Sequence, residues 1–187
     1  MRRATALLVL AGALTAVAPG CSDDGPGSYD NDERKVRSRE SPLPHRETRV
    51  GEIDYWVMGV SPKFGDVVGN HGSILPKKGQ FVRIRLAMEN HGRDRHIFRG
   101  SWQLLITGDG QAYKPSFDAT SVARAPTGPQ TLARDERREI DLWYDVPKNV
   151  ELRSLRVVGD ATSSALGEAV KENPPPGTKS ADLSLKP

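Results

Sequence analysis

The chain has one cysteine in 187 residues, Cys21, so no disulfide can form within it. Long apolar runs are missing too. The uncharged stretch from Ala4 to Ala18 is about fifteen residues, too short for a helix crossing a ~30 Å hydrocarbon core. Charge of one sign is scarce: 27 Lys and Arg face 24 Asp and Glu, a net +3, and Arg2 and Arg3 supply two of the three. The remaining +1 gives no strong field to draw nucleic acid or anionic lipid, and no nucleic-acid partner is expected. Catalytic signatures are absent as well. There is no Gly-x-Ser-x-Gly elbow, no cysteine pair and no His-x-x-x-His. Gly108-Asp109-Gly110 lacks the lysine and helix of a phosphate loop. Strands and helices do not alternate as in a nucleotide-binding fold.

What is present begins at the front. Met1-Arg2-Arg3 is basic, the uncharged run follows, and Ala18-Pro19-Gly20-Cys21 leads into polar Ser22-Asp23-Asp24. This resembles a bacterial lipoprotein signal, residues 1–20, with small Gly20 before the cut. The pattern prefers Leu or a β-branched residue at Ala18 and a small residue at Pro19; Val17 partly compensates. The resemblance implies that Cys21 becomes a diacylglyceryl thioether, further acylated (palmitate), on the extracytoplasmic face of the cell membrane. Two or more chains at about 0.8 kcal/mol per buried CH₂ anchor stably where one does not. The alternative is an ordinary secretory signal with a leftover cysteine.

Residues 21–48 show no apolar periodicity. Asp23 to Glu33 is acidic, Arg34 to Arg39 basic, and Pro42 and Pro44 follow. So polar a segment buries too little to offset its ordering entropy, which predicts a disordered tether. The other end, residues 173–187, opens Asn173-Pro174-Pro175-Pro176-Gly177 and is expected to be a disordered tail. Residues 49–172 between them suffice for one domain with its own core.

There the period is two. Val82, Ile84, Leu86 and Met88 alternate with Arg83, Arg85 and Glu89, and Ile140, Leu142, Tyr144 and Val146 repeat the pattern until Pro147. Val50 to Val60 puts Ile53, Tyr55 and Val57 on one face. Residues 101–106 and 111–114 flank a Thr107-Gly108-Asp109-Gly110 turn, a hairpin signal. Leu152 to Val158 directs Leu155 and Val157 inward, and residues 165–171 read as a last edge strand. Ser61 to Lys78 reads as an extended loop, and Trp56 and Trp102 as core. About seven short strands predict an all-β antiparallel sandwich.

Four local features carry a wider resemblance. Gly79-Gln80-Phe81 opens a strand ending Met88-Glu89-Asn90, and Leu104 to Tyr113 is strand, Asp-Gly turn and aromatic return. Leu132 to Glu136 is a pre-strand turn with Asp135 where glycine is usual, and Leu142 to Pro147 closes a strand on proline. In these the chain resembles the immunoglobulin-like extracellular domain of many bacterial lipoproteins, a domain of unknown function. That domain is related to an immunoprotective secreted antigen of mycobacteria. The resemblance implies an immunoglobulin-like β-sandwich outside the cytoplasm, without established catalysis, and carries no catalytic residues.

The candidate site is a surface. Arg83 and Arg85 on the outward strand face, Arg93, Arg95 and Arg99 in the next loop, and outward Trp143 combine cations with an aromatic, as interface hot spots do. An envelope protein, a lipid headgroup or an anionic wall polymer fits it. The alternative is a solvated face in which Arg83 and Arg85 pair with Asp141, Asp145 or Glu89 across strands. Met88, His71, His91 and His96 are thinkable copper ligands, but arginines crowd the loop and turn histidines are the default. Asp141 and Asp145 lie too far apart to share a proton. No metal, cofactor or enzymatic activity is expected. The expectation is a membrane-anchored, non-enzymatic binding module of the envelope. The alternative is a small-ligand or metal-binding accessory lipoprotein of a transporter, which needs a pocket that one small sandwich rarely encloses.

Overall fold

A computed structural model of the chain describes residues 36–70, 72–159 and 173–187. The signal, Cys21, His71 and the edge strand expected at residues 165–171 lie outside them. Strands follow in the order β1 (Ser41–Pro42), β2 (Thr48–Val50), β3 (Ile53–Phe64), β4 (Val67–Gly69), β5 (Gly72–Ile74), β6 (Gly79–Asn90) and β7 (His96–Phe98). A 3₁₀ turn at Gly100–Trp102 precedes β8 (Leu104–Thr107), β9 (Ala112–Tyr113) and the short helix α1 (Phe117–Val122). Then come β10 (Gln130–Leu132), β11 (Arg137–Pro147), β12 (Leu152–Val158) and β13 (Ser180–Ser184).

All pairings are antiparallel. The main sheet runs β1-β3-β6-β11, with β2 also on β3, and the second runs β13-β12-β8-β9. The alternation read from the sequence puts Val82, Ile84, Leu86, Leu142, Tyr144 and Val146 on the inner face of the main sheet. They form one core with Leu105, Leu155, Val157 and Leu183 of the second. Two sheets sharing a core between them make an all-β antiparallel sandwich. Side chains of this size gain about 1.5–3 kcal/mol each on full burial.

Two buried amides tie loops to strands. The Asn90 Nδ2 group donates to the carbonyls of Asp94, Leu132 and Ala133 at 2.8, 3.2 and 3.0 Å, and its Oδ1 accepts from the Gly92 N–H. Gln103 Oε1 accepts from the Val158 N–H at 2.8 Å while its Nε2 donates to the Arg99 carbonyl. In the turn that Asn90 ties down, Asp135 takes φ of +56°, the conformation a glycine supplies freely, and its N–H donates to the Asn90 carbonyl. Asp tolerates the left-handed region better than most residues, so the departure from glycine leaves the turn standing.

Three expectations are corrected. Residues 173–187 are not a disordered tail: β13 pairs with β12 from Ser154↔Ser184 to Val158↔Ser180, and Leu183 and Leu185 are buried. The tether does not run to residue 48, because residues 36–43 lie against the main sheet and β1 pairs with β3. Ser61 to Lys78 is not an open loop, since β3 continues to Phe64 and β4 and β5 pair. That hairpin and α1 wall off a second cluster of Val67, Phe81, Ala119 and Trp143 on the other side of the main sheet. The helix is started by Ser116, whose Oγ accepts from the Ala119 N–H.

Trp56 and Trp102 are buried as read, although Trp56 belongs to the outer-face cluster with Met58 and Ala87. Leu183→Ala is expected to cost about 2–3 kcal/mol in urea unfolding, from the cavity left at the second sheet. A tail without structure would give no change.

Candidate functional site

The outer face of the main sheet is built in rows, because directly opposed residues on antiparallel strands point the same way. One row is Gly59–Arg85–Asp141 and the next is Ser61–Arg83–Trp143. The rows depend on an irregularity in β3. Between Val57 and Gly59 the register with β6 slips by one, which sets Gly59 opposite Arg85 and returns Val60 to the core.

Residues 36–43 cross this face. A tight turn at Arg37–Glu40, with Arg39 at φ of +63°, is closed by the Glu40 N–H donating to the Arg37 carbonyl and the Arg37 N–H donating to Glu40 Oε2. Ser41 and Pro42 then pair with Val60 and Gly59, and the Leu43 N–H donates to the Met58 carbonyl. The turn aims two charges downward. Glu40 Oε2 lies 3.0 Å from Arg85 Nη2, the two side chains 1% and 6% exposed. Arg37 Nη1 donates to both oxygens of Asp141, at 2.8 and 2.6 Å.

Arg85 and Asp141 thus stand directly opposite each other, yet the short contact of each is to this overlying segment, Glu139 of β11 lying 4.0 Å from Arg85 Nη1. Gly59 makes room: a Cβ there would fall 2.5 Å from Glu40 Cγ. Glu40 Oε1 meets no donor among the described residues.

The next row is covered differently. Trp143 is buried beneath α1 and the β4–β5 hairpin, with Phe64 edge-on to it at 5.1 Å. Arg83 lies 5.8 Å from the centroids of both rings and donates to Ser61 Oγ at 3.0 Å. Arg39, in the overlying turn, lies 5.5 Å from the Phe64 centroid.

The mixed patch read from the sequence is therefore divided. Arg83 and Trp143 are brought together but are not an exposed platform, because α1, a helix the period-two reading missed, covers the indole. Arg85 is not outward to solvent, because Glu40 and the segment around it cover the guanidinium. Arg93 and Arg95 are exposed in the loop after β6, apart from both. Arg99 stacks 5.5 Å from the Trp102 ring, and burial lowers its basicity. Of the carboxylates in the cross-strand alternative, Asp145 accepts the backbone N–H groups of Lys77 and Lys78, at 2.8 and 3.0 Å, and Asp141 receives Arg37; across the strands Arg85 meets Glu139, at 4.0 Å. The residues the sequence did not single out are Glu40, Arg37 and Gly59. Only the...Glu-Ser-Pro-Leu... string before the first strand marked them.

The histidines take carboxylate partners. His96 Nε2 sits 2.8 Å from Glu52, and His91 Nε2 sits 3.2 Å from Asp54. Asp54 also receives Nε and Nη2 of Arg49, at 2.7 and 2.6 Å, and these hydrogen bonds hold its carboxyl below the usual carboxylate range against its burial. A cleft of about 240 Å³ lies between Trp102, Leu104, Lys114, Arg156, Val158 and Pro175. Larger open depressions, of about 510 and 340 Å³, lie beside Glu151, Arg153 and Asp182 and beside Ile74 and Val122.

Residues 45–166 match a family model described as a domain of unknown function, DUF4352. Among solved structures the chain is similar to the yjhA protein of Bacillus subtilis, 20% identical, TM-score 0.53, covering 78% of this chain and all of that one. That likeness is one of fold. Two fainter ones are to ycdA, a candidate lipoprotein of B. subtilis (14% identical, TM-score 0.47, 76% and 39% covered), and the secreted MPT63 of Mycobacterium tuberculosis. The latter is 12% identical with a TM-score of 0.37, over 66% and 92% of the two chains. No curated protein matches the chain.

Gly59→Ala is expected to destabilise the protein by about 1–3 kcal/mol, as overpacking does. In a Glu40→Ala background the same change should cost far less. Urea melts of the four proteins in this cycle measure the coupling. For Asp54, a folded pKa below the unfolded one means stability present above about pH 4 and lost as pH falls through the folded value. Asp54→Asn should therefore be weaker than wild type at pH 7, and the gap should narrow as pH falls below about 4 in urea titrations at each pH.

Proposed function

This chain belongs to the DUF4352 family, and we propose that it is a lipid-anchored binding module of the cell envelope, held on the extracytoplasmic face through Cys21 and acting without catalysis. The single observation that carries the anchored reading is the placement of the only cysteine directly after a basic start and a short uncharged run. A lone thiol there has an assigned use as an acyl acceptor, and the sandwich needs no disulfide in its place. From Cys21 to Val36 the chain spans fifteen residues, a reach of at most ~54 Å at ~3.6 Å each. The domain so tethered stays close to the membrane, where an immunoglobulin-like sandwich presents sheet faces and loops to envelope partners.

Binding in place of catalysis is favoured by how the charged groups are used. Arg37, Arg85, Arg49 and Arg156 each face a carboxylate in the fold. His91 and His96 do so too. The exposed cations left for an envelope protein or an anionic wall polymer include Arg93 and Arg95. Detergent-phase partitioning of cell extract tests the anchor. The wild-type chain should enter the detergent phase and carry a diacylglyceryl mass on Cys21, while Cys21→Ser should move to the aqueous phase or the medium. An unmodified thiol on the wild-type protein would sink the anchored reading. Crosslinking in intact cells, compared between wild type and an Arg93→Glu/Arg95→Glu variant, tests the binding role: an identical partner set would remove this loop from it.

A further inference from the structure

We infer that the outer face of the main sheet is a groove for an extended peptide segment bearing a carboxylate, and that residues 36–43 fill it in cis as a detachable strap. The inference deepens the binding role proposed above by naming a site for it.

A guanidinium in the middle of a central strand is a poor choice for a face that is simply to be packed. Buried Arg85 needs an anion, and its cross-strand neighbour Asp141 stands opposite it. The strap instead brings a carboxylate to within 3.0 Å of Arg85, closer than Glu139 of β11 at 4.0 Å, and a guanidinium to Asp141, so that one segment meets both charges of the row. The floor fits that segment. Gly59, displaced by the slip in register, leaves the space that the Glu40 side chain occupies. Beside it the β3 backbone pairs with Ser41 and Pro42. Main-chain pairing along an edge with side-chain pockets beside it is the general geometry of strand addition.

Several features make the strap separable from the sandwich. Its ladder with the sheet is two residues long, followed by one backbone bond from Leu43, it is linked to β2 by exposed residues 44–47, and Leu43 alone of its side chains enters the core. Glu40 Oε1 is buried without a donor, so the docked pair is not saturated. The strap also lies outside the stretch that matches the family model, which begins at residue 45. Whatever presents a carboxylate three residues ahead of an apolar side chain, as Glu40 precedes Leu43, has the chemistry to take its place.

The test cuts the strap after folding. A protease recognition sequence is inserted between Arg46 and Glu47 of the Cys21→Ser chain, residues 21–187, and the folded protein is cleaved and stripped by gel filtration. A labelled peptide of residues 36–46 is then titrated back. The expected result is a domain that keeps its sheet circular dichroism and its cooperative melt, and that rebinds the peptide saturably. The Glu40→Gln peptide should bind at least tenfold more weakly. Unfolding on removal of the strap would overturn the inference, because the segment is then an obligatory strand. Failure to rebind, or equal binding of the Glu40→Gln peptide, would overturn it equally. Because the anchor is absent throughout, the outcome is independent of whether Cys21 is acylated in the cell.

Discussion

A positive charge buried in the middle of the central strand has to be answered from somewhere, and the rest of the outer face is arranged around that need. Taking Arg85 out of water costs several kcal/mol unless a well-placed anion compensates. Its own strand supplies none, since its neighbours on the same face are Arg83 and Ala87, and Glu139 of β11 comes no nearer than 4.0 Å. The strap supplies it through Glu40, and the strap reaches Arg85 only because Gly59 has no side chain and sits opposite it. The slip in register, the missing Cβ, the tight turn at Arg37–Glu40 and the ion pair are thus one device.

That device changes what kind of sheet this is. The sequence alternates as a half-solvated sheet should, apolar inward and polar outward. In the folded protein the main sheet is covered on both sides: by the second sheet within, and without by the strap at one end and α1 with the β4–β5 hairpin at the other. The two outer covers use different physics. At the Trp143 end the cover is apolar, with Arg83 lying over rings. At the Arg85 end it is ionic. An apolar cover is hard to lift in water, whereas an ionic one exchanges for another ion pair or for hydration at smaller loss.

This division explains which parts of the molecule were legible in the sequence. β6, β11, β12 and the β8–β9 hairpin were readable because their burial follows a local period of two and their ends carry Pro or Asp-Gly turns. The core residues follow directly from them. β13 was hidden because a single inward leucine, Leu183, within five residues makes no period, and its partner β12 lies more than twenty residues away. The strap was hidden for the same reason: its contacts are long-range, and its composition is that of a solvated linker. The outward orientation of Arg83, Arg85 and Trp143 was legible. Their accessibility was not, since strand period assigns a face but says nothing of what lies over it. Of the candidate surface residues, only Arg93 and Arg95 combine the expected placement with exposure.

Placement of the strap also joins location to fold. In the anchored reading proposed here, the segment that covers Arg85 adjoins the stretch of chain leading back to Cys21. Any partner that displaced it would lengthen the tether by the eight residues of the strap, a further reach of at most ~30 Å at ~3.3–3.6 Å per residue. Longer tethers search larger volumes, and effective concentration at a membrane-bound target falls with length once the span is exceeded. On that reading, engagement of the groove and the reach of the domain would be coupled by chain connectivity alone, whichever carboxylate-bearing segment takes the place of Glu40.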